Sequence, residues 1–150
     1  MVRHYIVLSI ILIMTLLLMG CNKNNKEKNL GRINFEGESE HWNAIIHEEY
    51  EEIWEKGDKN RLEYNHSVKQ TLELIYKGKD DKKPDFVDFE CNGPAGSIGH
   101  RLYAGENGNF FEVFYQGGNN ATIAREHDTF RLIIRWEKDR EEIIELKAAK

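Results

Sequence analysis

Residues 130–146 read FRLIIRWEKDREEIIEL and decide the fold of this chain. Apolar side chains recur at every second position from Phe130 to Trp136. A period of two is the signature of a β-strand that buries one face. The polar residues 137–140 suit a tight turn, and the alternation resumes over 142–146. The segment therefore predicts a β-hairpin.

The same period recurs upstream of this hairpin. It indicates further strands at 62–76, 86–91 and 110–116. Residues 41–54 also alternate, although their many glutamates leave a helix as a competing interpretation. We favour one long or bent strand there, because most of its apolar residues share one parity, which Glu48 and Glu52 interrupt: Trp42, Ala44, Ile46, Tyr50 and Trp54.

Short alternating strands with polar turns between them predict an all-β fold. We expect an Ig-like β-sandwich of about seven short strands over residues 33–150, with a small barrel as the alternative. The chain has 150 residues, of which 40% are hydrophobic, and this length suits one folded domain.

The amino-terminal segment differs from the rest of the sequence. Residues 5–19 read YIVLSIILIMTLLLM and follow the basic Arg3. This run is shorter than the roughly 20 apolar residues that a membrane helix requires, but it fits the apolar core of a signal peptide. We therefore expect residues 1–20 to be a cleaved signal peptide.

The run ends in Leu18, Met19, Gly20 and Cys21, which resembles the lipobox of bacterial lipoproteins. The resemblance implies cleavage between Gly20 and Cys21, a diacylglyceryl thioether on Cys21 and, in many bacteria, a further acyl chain such as palmitate. Two buried acyl chains hold a protein stably on a bilayer. We expect the chain to lie on the extracytoplasmic face of the cell membrane, anchored by lipid.

Residues 21–32 begin with the lipidated cysteine and continue with NKNNKEKN at 22–29. Such a polar stretch offers no side chain for a core, so we expect a flexible tether.

Three short segments carry a second resemblance. Residues 35–42 (FEGESEHW), 133–136 (IIRW) and 141–146 (EEIIEL) look like a group of small lipoproteins from spore-forming Gram-positive bacteria. This resemblance implies a lipoprotein with a β-rich domain, and it brings no activity or site with it.

Charge excludes one class of partner. After removal of residues 1–20 the chain retains 20 basic and 26 acidic residues, a formal charge of −6. A nucleic-acid-binding surface is basic, so we expect no nucleic acid partner. Cys91 is the remaining cysteine of the mature chain, and we expect a small buried side chain there, not a reactive thiol.

The segment 92–108, NGPAGSIGHRLYAGENG, is rich in glycine. It matches neither a phosphate-binding loop nor a dinucleotide-binding fingerprint, and we expect a long connection between strands. Because loops on a rigid scaffold often bind ligands, Ser97, His100 and Arg101 are our candidate binding residues. Ser97 and His100 could also serve an envelope hydrolase, but the G-x-S-x-G motif is missing.

Other polar groups suggest no chemistry by their spacing. The histidines lack metal-ligand spacing, so we expect them to be solvated and expect neither a metal nor a cofactor. The glutamates at 48, 49, 51, 52 and 55 suggest a solvated acidic edge. Trp42, Trp54 and Trp136 alternate with polar residues and are expected in the core.

These observations predict a monomeric, non-enzymatic binding module of the cell envelope. Its partner would be another envelope protein, a wall polymer or a small ligand. An envelope hydrolase with its site near 92–108 is the alternative hypothesis, and we assign no catalytic residue.

Overall fold

The computed structural model describes residues 26–57, 61–79, 83–117, 122–137 and 139–150. Within these ranges the chain forms β-strands and no helix, so the all-β prediction is confirmed. The described ranges accordingly hold no helix with the length and hydrophobicity that crossing a membrane requires. The strands are β1 (Glu27–Glu38), β2 (Trp42–Lys56), β3 (Leu62–Tyr76), β4 (Phe86–Gly93), β5 (Gly96–Tyr103), β6 (Phe110–Gly117), β7 (Thr129–Trp136) and β8 (Arg140–Ala148).

Six of the predicted strands are confirmed. The stretch for which a helix was the alternative forms strand β2, and β3, β4 and β6 lie where the alternation indicated them. Strands β7 and β8 pair antiparallel from Thr129 opposite Lys147 to Trp136 opposite Arg140 and form the predicted hairpin.

The predicted Ig-like arrangement of two sheets is wrong. The described strands form one sheet in the order β5-β4-β7-β8-β1-β2-β3-β6. Strand β1 is the reason, because it lies between β8 and β2 and joins two groups of strands that would otherwise be separate sheets. Inward and outward residues alternate in the same way in a sandwich and in a barrel, so the sequence pattern could not distinguish them.

Clustering of contacts divides the chain into two compact units. The larger comprises Lys28–Ile53 and Tyr64–Lys150. Its strands form a nearly closed, barrel-like sheet with β5 and β6 as the two edge strands.

The smaller unit comprises Met1–Glu27 and Trp54–Glu63. In its described part, the main-chain N–H of Gly57 donates to the carbonyl of Arg61 at 2.9 Å.

The core of the larger unit consists of the inward-facing residues of its strands. The indole rings of Trp42 and Trp136 meet edge to face, with centroids 5.5 Å apart. Both are buried as predicted, whereas Trp54 is 38% exposed because burial along β2 declines towards its end. The largest fully buried apolar side chains are Trp42, Trp136, Phe35, Phe110, Ile46, Leu72, Leu74, Leu132, Ile134, Ile144 and Leu146.

Strand β1 begins inside the stretch 21–32 that we expected to be a flexible tether. Its polar side chains pair with the glutamates of β2: Lys28 Nζ lies 3.0 Å from Glu51 Oε1, and Arg32 Nη2 lies 2.5 Å from Glu49 Oε1. Opposite charges across neighbouring strands favour pairing. The tether prediction weighed apolar content alone and missed this cross-strand complementarity.

Two adjacent isoleucines of β8 allow a matched test of the core. Ile144 is 1% exposed and Ile143 is 48% exposed. We expect Ile144→Ala to lower the free energy of unfolding by about 2–5 kcal/mol, because it removes buried methyl groups and leaves a cavity. Ile143→Ala should change it by about 0.5 kcal/mol or less. Urea unfolding of both variants measures the difference, and equal losses would contradict the assignment of the two faces.

Candidate functional site

The glycine-rich segment 92–108 is mostly a hairpin and not the long loop we expected. Strands β4 and β5 pair from Phe86 opposite Tyr103 to Gly93 opposite Gly96, which leaves a two-residue turn. Gly96 has a φ of +116°, a backbone conformation that residues with a Cβ rarely adopt. The glycines that suggested a loop therefore serve a tight turn.

The three candidate binding residues all lie on β5. Ser97 pairs with Asn92 and His100 pairs with Phe89. Side chains of a strand alternate between faces, so residues three apart point in opposite directions and are separated by about 10 Å along the strand. Strand β5 thus does not bring Ser97 and His100 together as a nucleophile and its base.

Arg101 is held on the outer face of the hairpin. Its Nε and Nη2 donate to the two carboxylate oxygens of Asp88 at 2.9 and 2.8 Å. The guanidinium also lies 4.2 Å from the ring centre of Phe86. The paired hydrogen bonds raise the pKa of Arg101 and lower the pKa of Asp88. The cation is therefore fixed in orientation yet remains exposed at the surface.

His100 lies where the two edge strands approach each other. Its Nε2 lies 2.7 Å from Glu112 Oε2 on β6. Its ring packs edge to face against Phe89, with centroids 5.0 Å apart. The contact joins β5 and β6 through side chains, and it is partly open to solvent.

A cavity of about 70 Å³ lies beside the turn of the hairpin. Pockets for drug-sized ligands have volumes of roughly 300–1,000 Å³, so this one suits a few water molecules or a very small ligand. Its lining combines one amide with mostly apolar groups: Gln70, Cys91, Gly93, Ala95, Gly96, Ser97, Ile98, Phe114 and Phe130.

Cys91 contributes its buried side chain to this cavity. Burial raises the pKa of the Cys91 thiol to about 12. A thiol with so high a pKa is a poor nucleophile, because the thiolate is the reactive form. The prediction that Cys91 is buried is confirmed.

Glu48 is the most buried charged residue in the described part of the chain, with no exposed surface. One carboxylate oxygen accepts a hydrogen bond from the Gln70 amide at 2.6 Å, and the other accepts from the main-chain N–H of Ala124 at 2.8 Å. The expectation of a solvated acidic edge is wrong at this position. Glu48 shares the inward parity of Trp42 and Ile46, a signal that the sequence contained and that its charge obscured.

Burial raises the pKa of the Glu48 carboxyl group above its ordinary value of 4.5. The hydrogen bonds from Gln70 and Ala124 oppose this effect and do not cancel it. A carboxyl group in such a position holds its proton to higher pH than one in solvent.

A half-buried polar group lies at the turn between β1 and β2. His41 Nδ1 lies 2.5 Å from Glu142 Oε1, and the His41 main-chain N–H donates to Glu142 Oε2 at 3.1 Å. Burial works to raise the pKa of Glu142, but the hydrogen bonds of its neighbours, those of His41 among them, outweigh it and lower the pKa. The carboxylate of Glu40 joins the pair to form a compact group.

No protein-family model, curated protein or solved structure matches this chain.

The sequence offered no signal for the pairing of His41 with Glu142. The two residues are 101 positions apart, and the β1–β2 turn meets β8 through the order of strands in the sheet. The expectation of a solvated histidine is wrong for His41, whose side chain is 25% exposed.

The predicted cleavage and lipidation site, Gly20 and Cys21, lies outside the described residues.

Substitution of Glu48 tests whether its charge limits stability. Because its pKa is raised in the folded state, folding binds a proton at Glu48 near and above pH 4.5, and the contribution of Glu48 to the stability of the wild type should fall as pH rises through that range. Glu48→Gln keeps the shape and removes the charge, so the stability of this variant relative to the wild type should rise with pH over that range. Urea unfolding between pH 4 and 8 measures both curves, and parallel curves would contradict a raised pKa.

Glu48→Ala is the companion variant. It leaves the Gln70 amide and the Ala124 N–H buried without an acceptor, which costs about 1–3 kcal/mol for each group. We expect it to be less stable than Glu48→Gln at every pH in the same measurement.

Proposed function

We propose that this chain is a lipoprotein anchored on the extracytoplasmic face of the cell membrane, and that its β-rich domain is a non-enzymatic binding module. The observation that carries the proposal is the sequence Leu18-Met19-Gly20-Cys21 directly after an apolar run of signal-peptide length. The fold is compatible with such a role, since its strands form a rigid scaffold with exposed hairpins.

The number of residues between the lipidated cysteine and the domain limits how far from the membrane the domain can bind a partner. Strand β1 begins at Glu27, six positions after Cys21. Six residues span at most about 20 Å when fully extended. The domain would therefore work close to the membrane surface, within reach of other anchored proteins and of polymers near the membrane.

The cavity beside the β4–β5 hairpin is too small for a drug-sized ligand, so a macromolecular partner is the first to test at this hairpin. The exposed residues of that hairpin, Ser97 and Arg101 among them, are the first surface to test. The alternative of a hydrolase near 92–108 gains no support from β5, because Ser97 and His100 point to opposite faces of the strand.

The anchor is tested by the intact mass of the protein extracted from membranes. We expect the wild type to lack residues 1–20 and to carry a diacylglyceryl group, since two acyl chains give stable membrane attachment. Cys21→Ala should lose the lipid mass and fail to be processed at this site. An unmodified full-length wild type, or one in the cytoplasmic fraction, would refute the proposal.

The binding role is tested by photocrosslinking in intact cells. A photoreactive side chain introduced at Ser97 should yield a discrete adduct if the hairpin meets a partner. The same group at Lys147, an exposed residue of β8, is the control and should yield none. Absence of an adduct at residue 97, or identical adducts at both positions, would argue against the hairpin as a specific binding surface.

A further inference from the structure

We infer that Glu40, His41 and Glu142 form a binding site for a divalent ion of the zinc type. One ligand atom from each residue can be chosen so that all three lie within 4.8 Å of one another. The set offers one imidazole nitrogen and two carboxylate oxygens, which are donors that zinc uses in proteins. The inference concerns the folded domain and does not depend on the lipid anchor.

The distances suit a small ion after modest side-chain movement. Zinc binds nitrogen and oxygen ligands at about 2.0–2.2 Å, so tetrahedral ligand atoms lie about 3.4 Å apart. The His41 Nδ1 to Glu142 Oε1 distance of 2.5 Å would open slightly on binding. Glu40 is on the exposed side of the turn, where its carboxylate is free to close on an ion from solvent.

Two of the three ligands are already held in place by contacts outside the group. The His41 ring stacks with the Tyr76 ring at a centroid distance of 6.3 Å and packs against the Trp136 ring at 5.7 Å. The side chains of His41 and Glu142 are 25% and 17% exposed. Fixed, half-buried ligands lose little conformational freedom on binding, which favours the bound state.

A buried donor beside the group gives a second reason. The indole Nε1–H of Trp136 has no hydrogen-bond acceptor among the described residues, although Trp136 is 2% exposed. An unpaired buried donor is rare and needs an explanation. The Nε1–H of Trp42 is unpaired in the same way, and the Trp136 ring packs against His41. A water or anion in the fourth coordination position of an ion at His41 would supply an acceptor on the side of the Trp136 ring that packs against His41.

The donor set selects the kind of ion. Calcium takes six to eight oxygen ligands, and magnesium requires near-octahedral oxygen ligands. A site with one imidazole and two carboxylates favours zinc and its transition-metal neighbours, such as cobalt. Three protein ligands leave one position of a tetrahedral ion for a water molecule or a small anion.

The test uses the full-length protein in detergent, treated with a chelator and then freed of it. Titration with zinc is followed by calorimetry, and titration with cobalt by visible absorption. We expect one zinc ion per chain. Glu40→Gln and Glu142→Gln should each weaken zinc binding by at least about tenfold, since even outer-shell partners of a metal contribute that much.

The chain contains its own control. His100 and Glu112 form another histidine–glutamate pair, at 2.7 Å, without a third ligand in the described part of the chain. His100→Ala should bind zinc as the wild type does. Because Glu40 is exposed, Glu40→Gln should fold normally and keeps the test valid if a change at Glu142 disrupts the domain.

Three results would overturn the inference. One is a wild type that binds no zinc, and another is undiminished binding in Glu40→Gln. The third is displacement of zinc by an equal concentration of calcium, which would reject the assignment of the ion.

Discussion

The closeness of β1 to its neighbour β8 is the constraint on which the rest of the sheet depends. Phe35 of β1 is paired with Ala148 of β8. At Gly37 the approach is so tight that an added Cβ would lie 2.4 Å from the carbonyl oxygen of Glu145. A glycine at this position lets the carboxyl-terminal strands join β2, β3 and β6 in one sheet. The barrel-like arrangement, the enclosed core and the burial of Glu48 all follow from that junction.

An enclosed interior changes the behaviour of the polar residues that point into it. The Gln70 amide donates a hydrogen bond to one carboxylate oxygen of Glu48, and the main-chain N–H of Ala124 donates to the other. Such an arrangement is stable when complete, because every buried polar atom that it uses has a partner. It also helps to hold the segment after β6 against β2, where Arg125 adds contacts with Glu52 and with the Tyr50 ring.

The extent to which the sequence predicted this structure depends on the scale of the feature. Alternation located β2, β3, β4, β6, β7 and β8, because a strand with one buried face leaves a period of two. It missed β5, where glycines hid the alternation of Ile98, His100 and Leu102, and it located no strand at β1, whose first residues form ion pairs in place of apolar contacts. The two polar groups of the candidate site differ in how far the sequence could predict them. Glu48 was visible by parity, whereas the contact between His41 and Glu142 exists only once the order of strands is known.

The seam between β5 and β6 has a consequence for how solvent reaches the interior. Elsewhere in the described sheet, neighbouring strands are joined by ladders of backbone hydrogen bonds, but these two edges meet through the His100–Glu112 contact. Partly exposed ion pairs of this kind contribute about 0–1 kcal/mol. The His100–Glu112 contact therefore holds these two edges together far more weakly than a backbone ladder holds two strands. The small cavity that Cys91 lines has Ile98 of β5 and Phe114 of β6 in its wall, so solvent has its shortest protein barrier along this seam.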